Sequence, residues 1–367
     1  MIKIGSVNAG SSVRRELHID FRLTLEEALN KVDAAIVKLA ELIRKGGQAG
    51  CDVIVLPEDC LCTSAWENGN PEQTNSLLTT AVDHMLNRLG AAAAESGSYL
   101  ICCNDRVDRE GKIRNTAFFL GRDGGRLGHY DKVILPVQES TKTPGNSFPI
   151  FETPDLGRIG VLICYDIVFP ETARCLALEG ADIIFNPTVG GAAFGGPERS
   201  RAAFQTRAVE NFTPVVVSWG GWGSDSGSII VSAKGDILAE AMKGEEIAIA
   251  DIDPKQGRDN ADWSNAQTDM RSRLFRERRP EAFANLTDPT PPVFTSLPEM
   301  EPGPPEMIAE VYRKGTTIGH VEYETADKLA REGKTEEARA AFQKLIEDYP
   351  CSWFDRTARE RLIQMHS

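Results

Sequence analysis

The sequence predicts an α/β domain followed by a small all-α extension. Three observations carry that expectation. Strand-like and helix-like stretches alternate from the N-terminus to about residue 251. The composition turns Pro-dense near Asp288, in DPTPPVFTSLPEMEPGPPE. Beyond it, apolar residues recur only at helical spacing.

The elements follow in order. Residues 3–8 (KIGSVN) read as a first strand. Residues 25–45 carry Leu25, Leu29, Val32, Ile36, Leu39 and Ile43 at helical spacing, with Gly46-Gly47 expected to stop the helix. Residues 52–56 (DVIVL) read as a buried strand, 77–96 as a helix and 98–104 as another strand. Residues 116–120 and 125–130 form a hairpin around Asp123-Gly124. Strands are then expected at 158–164, 181–186 and 214–218, with helices at 171–179 and 198–211 between them. Strands at 228–231 and 246–251 close the series, with Lys234-Gly235-Asp236 as the turn between them.

The domain expectation is 1–287 for the α/β body, 288–306 for a Pro-rich linker and 307–367 for a helical segment. In that segment, helices are expected at 320–331, 335–348 and 353–365, the last with Ser352 as N-cap. Gly333, Ala338 and Pro350 fit the spacing of a tetratricopeptide-like hairpin. About one and a half repeats are present, fewer than a free-standing solenoid needs. Apolar Leu329, Ala338, Phe342, Leu345, Ile346, Trp353 and Leu362 therefore have to dock, on their own body, a second subunit or another protein.

Composition excludes several classes. The chain has 367 residues and a net charge of −13, which argues against nucleic acid as a partner. No apolar run reaches the ~20 residues of a membrane helix, and no signal-like start precedes the first strand. The expectation is a cytoplasmic protein whose eight cysteines are reduced. They include no CxxC pair and no nearby histidine at ligand spacing, so no metal site is expected.

Three stretches end an apolar run in a reactive side chain. VIVLPED delivers Glu58, GHYDKVILP delivers Lys132 and GVLICYDIVFPE delivers Cys164. Ligands of open α/β sheets sit at the carboxyl ends of strands. A carboxylate, an ammonium and a thiol gathered there supply a proton acceptor, a charge stabiliser and a nucleophile. Each has a bland alternative: a buried thiol as packing, a carboxylate near a helix N-terminus, a surface lysine.

Together these motifs, over residues 2 to about 283, resemble the carbon–nitrogen hydrolase (nitrilase) superfamily. The resemblance implies a four-layer αββα sandwich and a Glu58-Lys132-Cys164 triad. It also implies a second active-site carboxylate, Glu139 in VQESTKTPGN, that orients lysine and substrate. RAVEN, with Arg207, Glu210 and Asn211, matches a further family segment and reads as structural. The backbone N–H of Tyr165 falls where a nucleophile elbow places an oxyanion donor.

What the resemblance implies is hydrolysis of a non-peptide amide bond of a small molecule through a cysteine thioester, with no cofactor and in a homo-oligomer. N-carbamoyl hydrolysis and nitrile hydrolysis on the same triad are the alternatives. A non-catalytic scaffold that recruits a partner through 307–367 is the alternative of another class. Tyr165-Asp166 after the cysteine points to the amidase side, since nitrile hydrolases usually carry Trp-Glu there. Ile167-Val168 replaces the arginine that often holds a substrate carboxylate, which suggests a neutral acyl group near the nucleophile, unless Arg199 or Arg201 takes that role. Asp131 stands where a basic residue is common. Loops 59–76, 137–149 and 188–200 are expected to set specificity.

Overall fold

The computed structural model describes residues 1–9, 16–136, 139–190, 197–221, 227–242, 246–256, 269–292, 305–315 and 318–365. They group into two units. The first comprises Met1–Trp66, Gln73–Pro136 and Lys142–Glu277; the second comprises Glu67–Glu72, Val137–Thr141 and Arg278–Ser367.

The strands are β1 Ile2–Asn8, β2 Val53–Val55, β3 Tyr99–Val107, β4 Ile113–Leu120, β5 Arg126–Asp131, β6 Ile150–Thr153, β7 Gly157–Val161, β8 Ile183–Thr188, β9 Val215–Trp219, β10 Ser228–Val231, β11 Ile237–Ala241 and β12 Glu246–Ile252. The helices are α1 Leu25–Gln48, α2 Ser64–Gly69, α3 Thr74–Ser96, α4 Pro170–Leu178, α5 Pro197–Asn211, α6 Met270–Arg276, α7 Pro305–Lys314, α8 His320–Arg331, α9 Thr335–Asp348 and α10 Trp353–Gln364.

Two six-stranded sheets result, in the orders β12-β1-β2-β3-β4-β5 and β11-β10-β9-β8-β7-β6. Each has three parallel strands at its centre, β1-β2-β3 and β7-β8-β9, with antiparallel strands on both sides. The short strand β2 explains the layering. Val53 and Val55 point into the core between the sheets, with Ile101, Phe119, Val161, Phe185 and Val216. Ile54 and Leu56 point the other way, into a core with Val32, Ile36 and Leu39 of α1 and Leu77, Met85 and Leu89 of α3. Strand side chains alternate, so a strand apolar at every position must be covered on both faces. The second sheet repeats this: Ile184, Val215 and Val217 pack under Leu176 of α4 and Phe204 of α5. The expected αββα sandwich is what forms.

Where β1 and β9 approach, serines join the sheets. Ser6 Oγ donates to the Val217 carbonyl at 2.8 Å, and Ser218 Oγ to the Val7 carbonyl at 2.7 Å. Their short side chains satisfy buried carbonyls without forcing the layers apart.

Three expectations change. Helix α1 does not stop at Gly46-Gly47 but runs to Gln48. The glycines serve contact: a Cβ at Gly46 would lie 2.6 Å from Ile54 Cδ1, and one at Gly47 2.4 Å from Ser96 Cβ. The Lys234–Asp236 turn leads from β10 into β11 rather than into the last strand. β12 pairs instead with β1 in the other sheet, antiparallel, with Ile2 opposite Ile252. Finally, the strand expected over 158–164 ends at Val161, and Cys164 opens a 3₁₀ turn, Cys164–Val168.

In the second unit, α8, α9 and α10 bury Ala326, Ala338, Phe342, Leu345, Ile346 and Ala358, with Leu329, Phe354 and Leu362 at the margin. Ser352 caps α10, accepting from the Asp355 N–H at 3.1 Å. An additional helix, α7, begins at Pro305, inside the stretch read as linker; proline is tolerated at a first helical position. Residues 293–304 of that stretch lie outside the described residues. Among the described residues, no helix is long and apolar enough to cross a membrane.

Candidate active site

Each reactive residue sits where its strand ends. After β2 the chain passes Pro57 to Glu58 and then turns sharply at Asp59, whose φ is 48°. The Asp59 carboxylate accepts from the Thr63 N–H at 2.8 Å and the Ser64 hydroxyl at 2.7 Å, pinning that turn at the start of α2. Glu58 is thereby directed inward and is 2% exposed.

Lys132 follows β5 directly and is 1% exposed. Its N–H donates to the Asn115 carbonyl at 2.9 Å, and its carbonyl accepts from the Gly145 N–H at 2.8 Å. With the backbone clamped on both sides, its Nζ reaches Glu58 Oε1 at 2.9 Å. Asn115 Nδ2 donates to the same oxygen at 2.8 Å, and the Val189 N–H donates to Oε2 at 2.9 Å. Cys164 also hydrogen-bonds the Glu58 side chain. Burial would raise the Glu58 pKa, but the Lys132 ammonium and these hydrogen bonds win, and the carboxyl is held well below its usual range. The pair is a buried ion pair with its acceptor oxygens occupied, the form in which burial is tolerated.

Cys164 is half-buried and has φ 45°, a left-handed backbone that non-glycine residues adopt at a cost of about 1–3 kcal/mol. The turn around it is held from several sides. Asp166 is fully buried; its carboxylate accepts from the Ile163 N–H at 2.9 Å, the Ile134 N–H at 2.9 Å and the Tyr130 hydroxyl at 2.7 Å. Burial raises its pKa to about 6. Arg207 donates to the carbonyls of Ile167 at 3.2 Å and Val168 at 3.0 Å, so the RAVEN arginine anchors the Cys164–Val168 turn from α5.

The other thiols differ. Cys51, Cys60, Cys62, Cys102 and Cys103 are buried, and burial pushes Cys102 up to about 12. Cys175 is exposed. Cys103 lies close to the charged pair, donating to Asn115 Oδ1 at 3.5 Å, yet it is fully buried and its pKa is driven well up by burial.

The remaining expectations are placed as follows. Tyr165 is half-buried and meets the Phe169 ring edge-on, centroids 5.4 Å apart. Glu139 is half-buried in a short turn that belongs to the second unit. Asp131 is turned to Arg106 at 2.8 Å and the Thr116 hydroxyl at 2.7 Å. Arg201 is engaged by Glu240, and Arg199 is exposed. Ile167 packs against Leu162, Leu176 and Phe204 on the helix side, so its apolar character serves that core rather than a substrate. Of the expected specificity loops, residues 137–138 and 191–196 lie outside the described residues.

Asn115 and Val189 contact the Glu58 carboxylate but are passed over by motif reading, which noted Asp166 only as part of Tyr165-Asp166 and not for the donors it gathers. A signal existed for Asn115, which with Thr116 forms a polar pair leading into the apolar run AFFL of β4. Val189 acts through its N–H, which no side-chain pattern reveals. Among the described residues, no group of three or more His, Cys, Asp or Glu side chains is arranged to hold a metal ion.

Residues 23–261 match the family model of carbon-nitrogen hydrolases. The chain belongs to that family. Its curated relatives include the omega-amidase NIT2 of Xenopus tropicalis, 33% identical over 64% of this chain and 88% of the relative. The human omega-amidase NIT2 is 30% identical over 68% of this chain and 91% of the relative. Among solved structures, an amidase from Nesterenkonia sp. covers 78% of this chain and 96% of its own, with a TM-score of 0.56 at 20% identity. A carbon-nitrogen hydrolase from Helicobacter pylori G27 covers 78% and 97%, with a TM-score of 0.57 at 23% identity. The family membership makes this chain a hydrolase of carbon–nitrogen bonds, and the solved structures share its fold.

Proposed function

We propose that the protein hydrolyses the amide bond of a small molecule through a thioester on Cys164. The observation that carries this reading is the buried Glu58–Lys132 pair in hydrogen-bond contact with a half-exposed thiol on a left-handed turn. Glu58 is ionised and accepts the thiol proton as sulfur attacks the carbonyl carbon. The tetrahedral oxyanion is stabilised by the Lys132 ammonium and the Tyr165 N–H. Glu58 passes its proton to the departing nitrogen, and the C–N bond breaks to leave ammonia or an amine. A water that loses a proton to Glu58 then attacks the thioester, releasing the acid and restoring the thiol. The amidase assignment draws support from relatives named as omega-amidases and from Tyr165-Asp166 after the cysteine.

The test is ammonia release from a panel of primary amides, N-carbamoyl amino acids and nitriles, with Cys164→Ala as control. Turnover of primary amides at least tenfold faster than the other two classes supports the reading. Preference for N-carbamoyl compounds or nitriles overturns the amidase assignment. Turnover that survives in Cys164→Ala overturns the site. A homo-oligomer completes the proposal; sedimentation of the full chain tests it.

A further inference from the structure

The family reading assigns a role to the side chains on each side of the bond to be cut. It leaves open what keeps them at a fixed separation. Lys132 follows a strand of the first sheet, Cys164 opens a turn beyond the second, and the two are 32 residues apart in sequence. Packing alone leaves strand ends free to shift by fractions of an ångström, and misplacement by about 1 Å is enough to slow a reaction ~10²-fold.

We infer that Asp166 is the positioning residue that sets this separation, because its single carboxylate holds both flanks of Lys132 and the residue before Cys164. The inference assumes the nucleophile and lysine roles proposed above. Tyr130 lies two residues before Lys132 and Ile134 two after it; the Tyr130 hydroxyl reaches Oδ2 at 2.7 Å and the Ile134 N–H reaches Oδ1 at 2.9 Å. The Ile163 N–H, immediately before the nucleophile, reaches Oδ2 at 2.9 Å. The Tyr130 hydroxyl in turn accepts from the Val133 N–H at 3.3 Å, tightening the same loop. Asp166 is itself fixed by the turn: its N–H donates to the Ile163 carbonyl at 3.0 Å, and its carbonyl accepts from the Thr172 hydroxyl at 2.8 Å.

The chemistry requires a carboxylate. Three donors converge on two oxygens, and an ionised carboxylate offers acceptor sites in every direction. An asparagine would replace one oxygen with an N–H₂ group and set a donor against a donor. The Lys132 ammonium favours the ionised Asp166, but the three hydrogen-bond partners of Asp166 are neutral and burial outweighs them all. An apolar side chain of similar size would avoid a desolvation cost that stability alone does not require. The presence of the carboxylate fits a requirement for geometry.

The experiment compares Asp166→Asn, Tyr130→Phe and Cys164→Ala with the wild type, using the best primary amide of the panel. The rate of iodoacetamide labelling at Cys164 and the urea midpoint at pH 7.5 are read alongside kcat and KM. Asp166→Asn is expected to lower kcat 10- to 100-fold with KM changed less than threefold. Cys164 labelling should change by at least fivefold, while the variant stays folded at pH 7.5 with a urea midpoint lowered by no more than one mispaired buried hydrogen bond accounts for. Tyr130→Phe, which removes one donor of three, is expected to lower kcat three- to tenfold. An Asp166→Asn enzyme with kcat and labelling rate within twofold of wild type overturns the inference. So does one whose kcat loss is matched by its loss of folded protein. If Asp166→Asn does not fold, Tyr130→Phe decides, and a wild-type kcat there overturns the inference. Survival of turnover in Cys164→Ala sinks the underlying site reading instead, whatever the other two variants do.

Discussion

In both sheets three parallel strands run side by side between antiparallel neighbours, yet the strand ends of the two sheets do different work. The first sheet supplies Glu58, Lys132 and Asn115, a fully buried cluster already joined by hydrogen bonds of 2.8 and 2.9 Å. The second supplies the thiol on a left-handed turn, together with the Val189 N–H that completes the Glu58 shell. One side is a charged pair whose members hold each other in place. The other is a thiol, the proposed nucleophile, held by the backbone around it. The lesson is that stability and reactivity are coupled on the first side and separable on the second.

The largest contrast is between Lys132→Ala and Cys164→Ala. Both should reduce turnover by at least 10³-fold. Lys132→Ala leaves a buried carboxylate without its counter-charge, and loss of one partner of such a pair typically costs about 3–5 kcal/mol. Cys164→Ala removes one half-exposed sulfur and should cost under about 1 kcal/mol. Urea unfolding of the two variants checks this; equal stability losses would break the comparison.

The two buried carboxylates should respond to pH with opposite sign. Glu58 has a depressed pKa, so its contribution is full above the ordinary glutamate range and is lost as pH falls toward the lowered value. Asp166 has a raised pKa of about 6, so its contribution is full below the ordinary aspartate value and is lost as pH rises through about 6. Relative to Asp166→Asn, the wild type should therefore lose stability between pH 5 and pH 7.5. Over that interval the loss is on the order of 1 kcal/mol, because part of the linkage falls below pH 5. Chemical denaturation at the two pH values measures it, and a wild type that gains on the variant as pH rises would reverse the assignment.

A smaller effect is expected at Asn115, which touches Glu58 but carries no charge. Asn115→Ala removes a hydrogen bond to an ionised group, worth about 1.5–3 kcal/mol. Turnover should fall roughly tenfold, less than for Lys132→Ala. Steady-state kinetics on the same amide ranks the two, and equal losses would mean that Asn115 does more than support Glu58.

How far the site could be read from the sequence follows the same division. Glu58 and Cys164 were legible because each ends an apolar run, whereas Lys132 follows the mostly polar strand RLGHYD and was legible only through the family motif that contains it. Helices α8, α9 and α10 were legible as well, since Ala338, Phe342 and Leu345 keep helical spacing and Ser352 caps the last helix, whereas α7 was not. What escaped depends on tertiary approach. Gly46 and Gly47 look like a helix stop but make room for Ile54 and Ser96. The crossing of β12 to the first sheet joins residues some 250 positions apart, which local pattern does not record. Ile167 was legible as apolar, but which face it serves depended on a helix packed above it. The Val189 N–H and the three donors on Asp166 are chiefly backbone groups, identical in every sequence until the fold aims them.

The most direct test of the thiol's role is to trap the intermediate. The enzyme is mixed with a good primary amide, quenched in acid during steady-state turnover, digested and mapped by mass spectrometry. The proposed chemistry predicts the acyl mass on the peptide that contains Cys164, absent from every other cysteine peptide and lost on further incubation before the quench. Turnover that proceeds with Cys164 unmodified and the acyl group on another residue would contradict it.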